Sequence, residues 1–428
     1  MCEFQKIMEK LAIIGTGIAG MGCGYFLHRK YDITYFEQLN YVGGHTNTIY
    51  VEEEGKQIPI DTGFIVFNHV TYPNLIRLFD EIKAPTKKSD MSFSVQHVPS
   101  KLEFAGTGLN GLFAQRKNIF KPSYIRFLLD INKFNEEAPK ILDNSKYQNH
   151  TLKQFVDELG LGQDFWDKFL VPMSSAVWST PPDLMLGFPA VSLIRFFKNH
   201  GFLGLNSQHQ WYTVDGGSES YKKLLIAPFK DKIQINKGVK KVYRENGKVR
   251  ISTWDGSELI FDKVIFAAHA DQTLKMLGDP TTEEIRLLSP FKYQPNKATL
   301  HTDDYAMPKT KLSWAAWNYR VEKDKSGETK PSTIYWMNRL QGVSKKKNYF
   351  VSINDAGGID SNKIIKEIEY EHPLFTVETA TAQKELFKLN QNKISFFAGS
   401  YFRYGFHEDA FMSAVECSRA VDADCVWK

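Results

Sequence analysis

The sequence has few cysteines, and none of them is placed as a disulfide scaffold or a metal site requires. Its 428 residues contain four, namely Cys2, Cys23, Cys417 and Cys425. They form no Cys-x-x-Cys pair, and no Cys and His residues occur together at the spacing of metal ligands. We therefore expect no metal site and no disulfide framework. This cysteine pattern is typical of proteins of the reducing cytoplasm, which is the expected location.

Long apolar runs and a strong net charge are also absent. No stretch of about 18 apolar residues occurs, so no membrane-spanning helix is predicted. The first residues lack the basic segment and apolar core of a secretory signal. The net charge of +5 is small for this length, and no basic stripe is interleaved with aromatic residues. Nucleic acid is therefore not an expected partner.

Aromatic residues, in contrast, are abundant. They make up 14% of the chain, with 31 Phe and 19 Tyr, and hydrophobic residues make up 42%. A chain of this length can bury a large core in one or two domains. The aromatic content is consistent with a dense core or with an aromatic-lined cavity, and composition does not separate the two.

A glycine-rich turn near the start of the chain is the most informative motif. Residues 11–14 are typical of a short buried strand, and a helix is predicted to follow the turn. Gly15 permits the tight turn, Gly17 leaves room for a pyrophosphate to approach the backbone, and Gly20 lets the helix pack closely on the strand. The free N–H groups at the helix N-terminus attract phosphates. The pattern indicates a dinucleotide-binding unit.

An acidic residue supports this interpretation. The helix that begins with Ile18 and Ala19 leads to a second predicted strand at 33–36, which Glu37 and Gln38 follow directly. A carboxylate about 20 residues after the glycine turn is placed to bind the ribose hydroxyls of a dinucleotide. The alternative is an ordinary strand–helix–strand unit in which Glu37 faces solvent.

Two further loops are candidates for ligand contact. Gly43 and Gly44 precede His45 and Thr46 in a loop that leaves the strand carrying the acid, so the loop can wrap a ligand. A hairpin is predicted next, and it ends in a turn whose backbone N–H groups are placed near the same ligand. This turn consists of Asp61, Thr62, Gly63 and Phe64.

A third informative stretch lies near the end of the chain. A buried strand is predicted to end at Gly399, and a helix with an acidic first turn is predicted from Glu408 to Val421. The positive end of such a helix stabilises negative charge on a bound group. Its candidate contacts are His407 and the backbone N–H groups near Asp409, Ala410 and Phe411.

Together these stretches resemble the FAD-dependent amine oxidase superfamily, which includes monoamine oxidases, protoporphyrinogen oxidase and phytoene desaturases. The resemblance implies that the glycine turn meets the FAD pyrophosphate, that Glu37 holds the adenosine ribose, and that the loop at 43–46 runs along the cofactor. It also implies that the C-terminal helix points at the flavin ring and that Val239 contacts the adenine end. Plain NAD dehydrogenases lack the second glycine loop, so FAD is the expected cofactor.

Longer stretches resemble one subgroup of that superfamily. They are found at 43–46, 61–68, 404–409 and 172–179, the last of which ends at Ser179. The subgroup comprises bacterial flavoproteins often encoded beside cyclopropane-fatty-acid-synthase-like methyltransferases, and it is similar to the flavin domain fused to plant cyclopropane fatty acid synthases. The resemblance implies a small-molecule or lipid acyl substrate, a peripheral membrane contact and a lipid methyltransferase as a partner.

The expected fold is α/β, with a Rossmann-like FAD-binding domain of the glutathione-reductase type and an inserted mixed α+β substrate domain. Residues 1–70, 211–290 and 391–428 are assigned to the discontinuous FAD-binding domain. Residues 71–210, which are largely helical in pattern, and 291–390, which are rich in strand patterns, are assigned to the substrate domain.

Aromatic residues recur on the predicted strands of the second substrate segment. They are Trp314, Trp317, Tyr335 and Trp336. If they project from one face of a sheet, they form the floor of a substrate cavity, and the alternative is plain packing. His301, on a neighbouring predicted strand, is expected to be a hydrogen-bonded core residue.

Two residues near the predicted flavin position are candidates for catalysis. His407 suits a general base near pH 7, or it only shapes its loop. Tyr404 lies near the place where the superfamily has one aromatic of an amine-binding pair, but no partner aromatic and no lysine for the flavin edge is identified. Three functions therefore stay open: an oxidoreductase of acyl lipids, an amine or protoporphyrinogen-type oxidase, and a non-catalytic flavin-binding accessory protein of a lipid methyltransferase.

Overall fold

A parallel five-stranded sheet organises the N-terminal, middle and C-terminal parts of the chain. The computed structural model describes residues 8–178, 181–204, 209–323 and 326–427, so Cys2 and Ser179 lie outside the described residues. All neighbouring strands of this sheet run parallel. Its strand order is Ile233–Gln234, Asp32–Phe36, Lys10–Ile14, Lys263–Phe266 and Ser395–Phe397. The fold is therefore α/β, as predicted.

Two helices pack on one face of this sheet and on each other. They span Ile18–Leu27 and His407–Val421. Gly22 allows the close approach, since a Cβ at this position would lie 2.9 Å from atoms of Phe411 and Ala414. The C-terminal helix is in this way fixed against the first helix of the dinucleotide-binding unit.

Smaller antiparallel elements flank the parallel sheet. A three-stranded sheet contains Val239–Glu245, Lys248–Thr253 and Glu258–Phe261. The predicted hairpin is confirmed, with strands Thr48–Glu53 and Lys56–Asp61. A further three-stranded sheet contains Phe67–Asn68, Trp211–Val214 and Thr86–Ser89.

A second large sheet of seven strands lies beside the parallel sheet in the fold. In order, its strands are Ile364–Leu374, Lys292–His301, Phe350–Ile353, Thr329–Trp336, Trp317–Lys323, Phe93–His97 and Leu102–Ala105. It thus joins one strand pair from the first half of the chain to strands from residues 292–374. His301 is buried, and its Nε2 lies 2.8 Å from Ser352 Oγ, so it is the core residue that was expected.

The aromatic residues of this sheet do not share one face. Trp317 and Tyr335 line a cavity, whereas Trp314 and Trp336 pack with Phe350 in a separate cluster. Adjacent residues of a strand point to opposite faces, which separates Tyr335 from Trp336. Trp314, which was expected on a strand, lies before it, because a 3₁₀ turn, Lys311–Ser313, precedes the strand that begins at Trp317.

The helices between residues 122 and 199 pack around an aromatic cluster that includes Phe134, Phe165, Trp178 and Phe196. A π-helical turn, Trp166–Leu170, separates the helices Gln163–Phe165 and Val171–Trp178. None of the helices in the described part of the chain is both long enough and apolar enough to cross a bilayer. The further α-helices are Pro73–Ile82, Leu109–Leu112, Pro122–Glu137, Leu152–Leu159, Gln163–Phe165, Val171–Trp178, Pro182–Met185, Ala190–Asn199, Glu219–Ile226, Ala270–Met276, Thr282–Leu288, Met337–Leu340 and Val377–Gln383.

Candidate active site

A cavity of ≈ 620 Å³ lies at the carboxyl ends of the parallel strands. Four of these strands deliver a lining residue at or just beyond their last position: Ile14, Phe36, Ala267 and Gly399. The carboxyl edge is where open α/β sheets bind their ligands, because the helix N-termini and the connecting loops meet there.

Most of the residues predicted to contact the cofactor line this cavity. They are Gly15, Gly17, Ile18, Ala19, Glu37, Gln38, Gly43, Gly44, His45, Gly63, Phe64, Val239, Gly399, His407 and Ala410. The structure therefore brings together three stretches that are far apart in the sequence. Gly20, Thr46, Thr62 and Asp409 are not part of the lining.

The glycine turn has the geometry that a phosphate requires. Gly15 has φ +101°, and a Cβ there would lie 2.5 Å from the Ala267 carbonyl oxygen, so only glycine fits. Gly17 is the N-cap of the helix Ile18–Leu27, and no side chain caps that helix. A Cβ on Gly17 would meet no protein atom within 4 Å. The space in front of the helix N-terminus is thus open to a pyrophosphate.

Glu37 is buried at the same edge of the cavity, with an exposed fraction of 7%, so the alternative in which it faces solvent is wrong. Its Oε2 accepts hydrogen bonds from the Thr16 N–H at 3.1 Å and from Thr16 Oγ1 at 2.6 Å. Its Oε1 accepts from the Leu39 N–H at 2.9 Å. These bonds fix the carboxylate at the place where the ribose hydroxyls are expected, and Gln38 and Val239 line the same cavity.

Thr46 and Thr62 do not line the cavity, but they hold in place the two loops whose other residues do. Thr46 is fully buried, and its hydroxyl lies 2.6 Å from the Tyr221 hydroxyl. The Thr62 hydroxyl lies 2.8 Å from the Tyr370 hydroxyl. These contacts hold the two loops while His45 and Phe64 face the cavity.

His407 stacks on Phe64, with ring centroids 3.8 Å apart and planes inclined by 9°. Its Nε2 lies within hydrogen-bond distance of the Tyr221 hydroxyl, at 2.5 Å. Burial lowers the pKa of the His407 imidazole from 6.5 to about 3. A neutral ring whose Nε2 is already occupied is a poor general base near pH 7, so the geometry favours the shaping role.

Tyr404 does not line the cavity. Its ring packs in the aromatic cluster that contains Phe196, with centroids 6.1 Å apart. Its carbonyl accepts a hydrogen bond from Trp178 Nε1 at 3.0 Å. The prediction that Tyr404 contacts the substrate is therefore not supported, and its neighbours Gly405 and Phe406 reach the cavity instead.

The helix His407–Val421 begins at the cavity, and Phe406, His407 and Ala410 at its N-terminus line it. The Ala410 N–H already donates to the Phe406 carbonyl at 3.0 Å, so its predicted role as a free donor is wrong. The N–H groups from His407 to Asp409 precede this first helical hydrogen bond. The Asp409 carboxylate accepts from the Phe406 N–H at 2.9 Å, and burial raises its pKa to about 7.

Glu408 turns away from the cavity and joins two helices. Its carboxylate accepts hydrogen bonds from the Asn74 N–H, Asn74 Nδ2 and the Leu75 N–H, at 2.7–3.1 Å. These N–H groups begin the helix Pro73–Ile82. Glu408 thus fixes the position of the residue beside it, His407.

One wall of the cavity was not predicted from the sequence. His45 stacks on Tyr370 with centroids 4.7 Å apart, and His372 lies 5.2 Å from His45. Burial lowers the pKa of both imidazoles, that of His372 to about 4. His45 Nε2 has no hydrogen-bond partner among the described residues. An unpartnered buried ring nitrogen at the cavity is available to a cofactor or substrate atom.

Beyond the cofactor-contact residues, the same cavity has an aromatic lobe. It is lined by Trp178, Phe196, Phe202, Trp211, Trp317, Tyr335 and Phe375. The indole Nε1 atoms of Trp211 and Trp317 have no hydrogen-bond partner within the described ranges. The lobe is therefore lined by apolar rings, and it contains two buried indole N–H groups without a partner.

The parallel sheet, the glycine turn, the buried acid and the cavity at the strand ends define a dinucleotide-binding fold. Among solved structures, cyclohexylamine oxidase from Brevibacterium oxydans matches with a TM-score of 0.67, 13% identity, and coverage of 97% of this chain and 99% of that chain. A putative protoporphyrinogen oxidase from Exiguobacterium matches with a TM-score of 0.65 and 14% identity, with the same coverage.

A fatty acid isomerase from P. acnes, described as CLA-producing, matches with a TM-score of 0.64 and 14% identity over 95% of this chain and 97% of that chain. The curated proteins include no match to this sequence. The model of the flavin-containing amine oxidoreductase family matches residues 18–347. The chain therefore belongs to that family and is an FAD-dependent oxidoreductase.

The low pKa of His407 predicts a pH dependence of stability. The folded protein keeps this ring neutral down to about pH 3, whereas the unfolded chain takes up a proton below about pH 6.5. The contribution is complete above pH 6.5 and is lost as the pH falls toward 3. Over this range the free energy of unfolding of the wild type should fall more steeply than that of His407→Gln, by about 1.4 kcal/mol per pH unit. Urea unfolding at several pH values measures this, and parallel profiles would contradict it.

Proposed function

We propose that this FAD-dependent oxidoreductase removes a hydride from an apolar substrate, most simply a fatty-acyl or phospholipid chain. The observation that carries the proposal is the aromatic lobe, which is continuous with the cofactor-contact residues in one cavity. Among the described residues that line the cavity, no lysine or arginine occurs. A chamber walled by aromatic side chains binds hydrocarbon by removing it from water.

The residues of this chain fit FAD, and different groups of them are placed to contact different parts of the cofactor. The open space at Gly17, the free first turn of the neighbouring helix and the buried Glu37 carboxylate would hold the pyrophosphate and ribose. When bound, FAD supplies the acceptor for the hydride. The N-terminus of the helix that begins at His407 stabilises negative charge at the ring end of the cavity. The aromatic wall excludes water from the reacting bond.

The contacts of the site give less support to the other two functions. An amine-oxidase-type site is expected to combine an aromatic cage with a lysine, and the described lining contains no lysine. An accessory protein without turnover needs no chamber beside its cofactor, yet the lobe is lined by seven aromatic side chains. One neighbour of this fold is named as a fatty acid isomerase, so the fold itself is compatible with an acyl substrate.

The proposal is tested by looking for the product. The purified protein, loaded with FAD, is incubated with phospholipids whose acyl chains are unsaturated or methyl-branched, and the lipids are analysed by mass spectrometry. We expect acyl chains that have lost two hydrogen atoms. Unchanged lipids, together with turnover of amines by the same preparation, would contradict the proposal.

The two unpartnered indole N–H groups predict how the substrate is oriented. A hydrocarbon chain offers them no acceptor, whereas the carboxyl or ester oxygen of an acyl group does. Replacing Trp211 or Trp317 with Phe keeps an aromatic ring and removes the N–H. Each substitution should weaken acyl binding about fivefold to tenfold, which corresponds to one neutral hydrogen bond.

The control for these variants is Trp314→Phe. The Trp314 indole donates to the Pro308 carbonyl at 2.7 Å, and its ring lies in the cluster with Phe350 rather than at the cavity. We expect its acyl-ligand dissociation constant to equal that of the wild type. Equal flavin content in all variants separates an effect on substrate from an effect on cofactor, and unaltered acyl binding in both cavity variants would refute the orientation.

A further inference from the structure

An exposed apolar surface lies on the turns and the helix between residues 109 and 129. It is formed by Leu109, Ile119, Phe120, Ile125 and Leu129, with exposed fractions between 38% and 86%. Phe120 is the most exposed of them, at 86%. Single exposed hydrophobic residues are ordinary, but five within 21 positions are not. We call this the 109–129 surface.

The same surface is positively charged. Its cations are Arg116, Lys117, Lys121 and Arg126, all of them exposed, and the sequence has no Asp or Glu between 104 and 129. None of the four forms an ion pair with a described residue. Arg116 donates hydrogen bonds to the Phe113 carbonyl and to Asn110 Oδ1, both of them neutral acceptors. The positive charge beside the exposed apolar side chains is therefore not neutralised by a described acidic residue.

The acidic residues nearest in sequence to the 109–129 surface, Glu103 and Asp130, form hydrogen bonds with backbone N–H groups outside it. Glu103 is buried, and its carboxylate accepts hydrogen bonds from the Lys309 N–H at 2.9 Å and the Thr310 N–H at 2.8 Å. Asp130 accepts from the Gly162 N–H at 3.1 Å. Their charges are engaged away from the four cations, so the positive character of the surface is preserved.

The inner side of this segment is fixed, so the outer residues cannot bury themselves by a small rearrangement. The Tyr124 hydroxyl donates to the Leu112 carbonyl at 2.5 Å. The rings of Phe104 and Phe127 lie 5.6 Å apart in the cluster beneath. Within the helix Pro122–Glu137, Tyr124 and Phe127 face this cluster. Ile125 and Leu129, four residues apart, share another face of the helix.

We propose that the 109–129 surface is where the protein docks on the anionic face of a phospholipid bilayer. An apolar set that enters the acyl boundary and a cationic set that meets the headgroups are the two signals that reversible membrane binding requires. The inference does not rest on the proposed substrate, because the surface is separate from the cavity lining. It supplies a specific location for the peripheral membrane contact.

The test is co-sedimentation of the FAD-loaded protein with vesicles of phosphatidylcholine alone or mixed with phosphatidylglycerol. We expect binding to the mixed vesicles, and weaker binding at high salt. The variant Lys117→Gln/Lys121→Gln should lower the partition coefficient about 30-fold, from the contribution of two cations near an anionic surface. The variant Ile119→Ser/Phe120→Ser should lower it at least as much.

The matched control is Ile260→Ser/Phe387→Ser, which removes two hydrophobic residues that are 63% and 59% exposed elsewhere on the protein. We expect this control to bind vesicles as the wild type does. Three outcomes would overturn the proposal. The first is no binding of the wild type to mixed vesicles, and the second is an equal loss of vesicle binding in the control variant. The third is that the 109–129 surface binds a lipid methyltransferase while all variants keep their affinity for vesicles. Failure of the proposed acyl chemistry would leave vesicle binding unchanged.

Discussion

The variant Gly17→Val should fold and purify without flavin. Gly17 has φ −61° and ψ 175°, an extended conformation that valine adopts readily. A Cβ at this position meets no protein atom within 4 Å, so the substitution costs the empty protein little. The new side chain occupies the space in front of the helix N-terminus, where the pyrophosphate belongs. Loss of two charge-assisted hydrogen bonds should weaken FAD binding at least about 100-fold.

This result is read from the flavin absorbance of the purified protein and from titration of the apoprotein with FAD. Gly187→Ala is the control, because a Cβ at Gly187 makes only an ordinary 3.7 Å contact with the Leu184 carbonyl oxygen. The control should retain flavin at the wild-type level. If Gly17→Val binds FAD as tightly as the wild type does, the cavity at the glycine turn is not the cofactor site.

The second large effect is expected at Asp61, which is 1% exposed. Its carboxylate accepts hydrogen bonds from the Ser218 N–H and hydroxyl, from Thr48 Oγ1 at 2.5 Å and from Gln341 Nε2 at 2.6 Å. Burial nevertheless raises the pKa of this carboxyl. Replacement by Ala leaves these donors buried without an acceptor. The free energy of unfolding should fall by about 3–5 kcal/mol, as measured by urea unfolding of the apoprotein.

Asp215→Ala provides the comparison for Asp61→Ala. The Asp215 side chain is 57% exposed and forms an ion pair with Lys87 at 2.8 Å. An exposed pair of this kind contributes less than about 1 kcal/mol. A similar loss of stability in both variants would show that the hydrogen bonds at Asp61 do not hold the hairpin and the loop that lines the cavity.

The cofactor-binding edge was largely predictable because each of its motifs is local. Gly15, Gly17 and Glu37 lie within a strand–turn–helix–strand unit in which spacing alone determines what meets the ligand. The sequence did not reveal Thr16 as the residue that fixes Glu37. The position of Thr16 inside the glycine turn is a signal that could have identified it, since a hydroxyl there lies within reach of the following strand.

The rest of the site could not be predicted because it depends on long-range packing. Tyr221 meets His407 across 186 positions, and no local pattern links them. On the strand Thr329–Trp336, a shift of one position decides whether Tyr335 or Trp336 faces the cavity, and sequence patterns locate strand ends poorly. The low pKa of His407 follows from the same packing, since the ring is buried against Phe64. The sequence around this histidine gives no sign of that burial.

In the proposed function, FAD bound in this cavity would accept a hydride from an acyl chain. Anaerobic titration tests it most directly, with the loss of oxidised-flavin absorbance as the signal. The FAD-loaded protein is mixed with an unsaturated or methyl-branched fatty acid, or with the amine that has the same hydrocarbon chain. We expect the flavin to bleach with the acid or its phospholipid ester and to stay oxidised with the amine. Bleaching with the amine alone would contradict it.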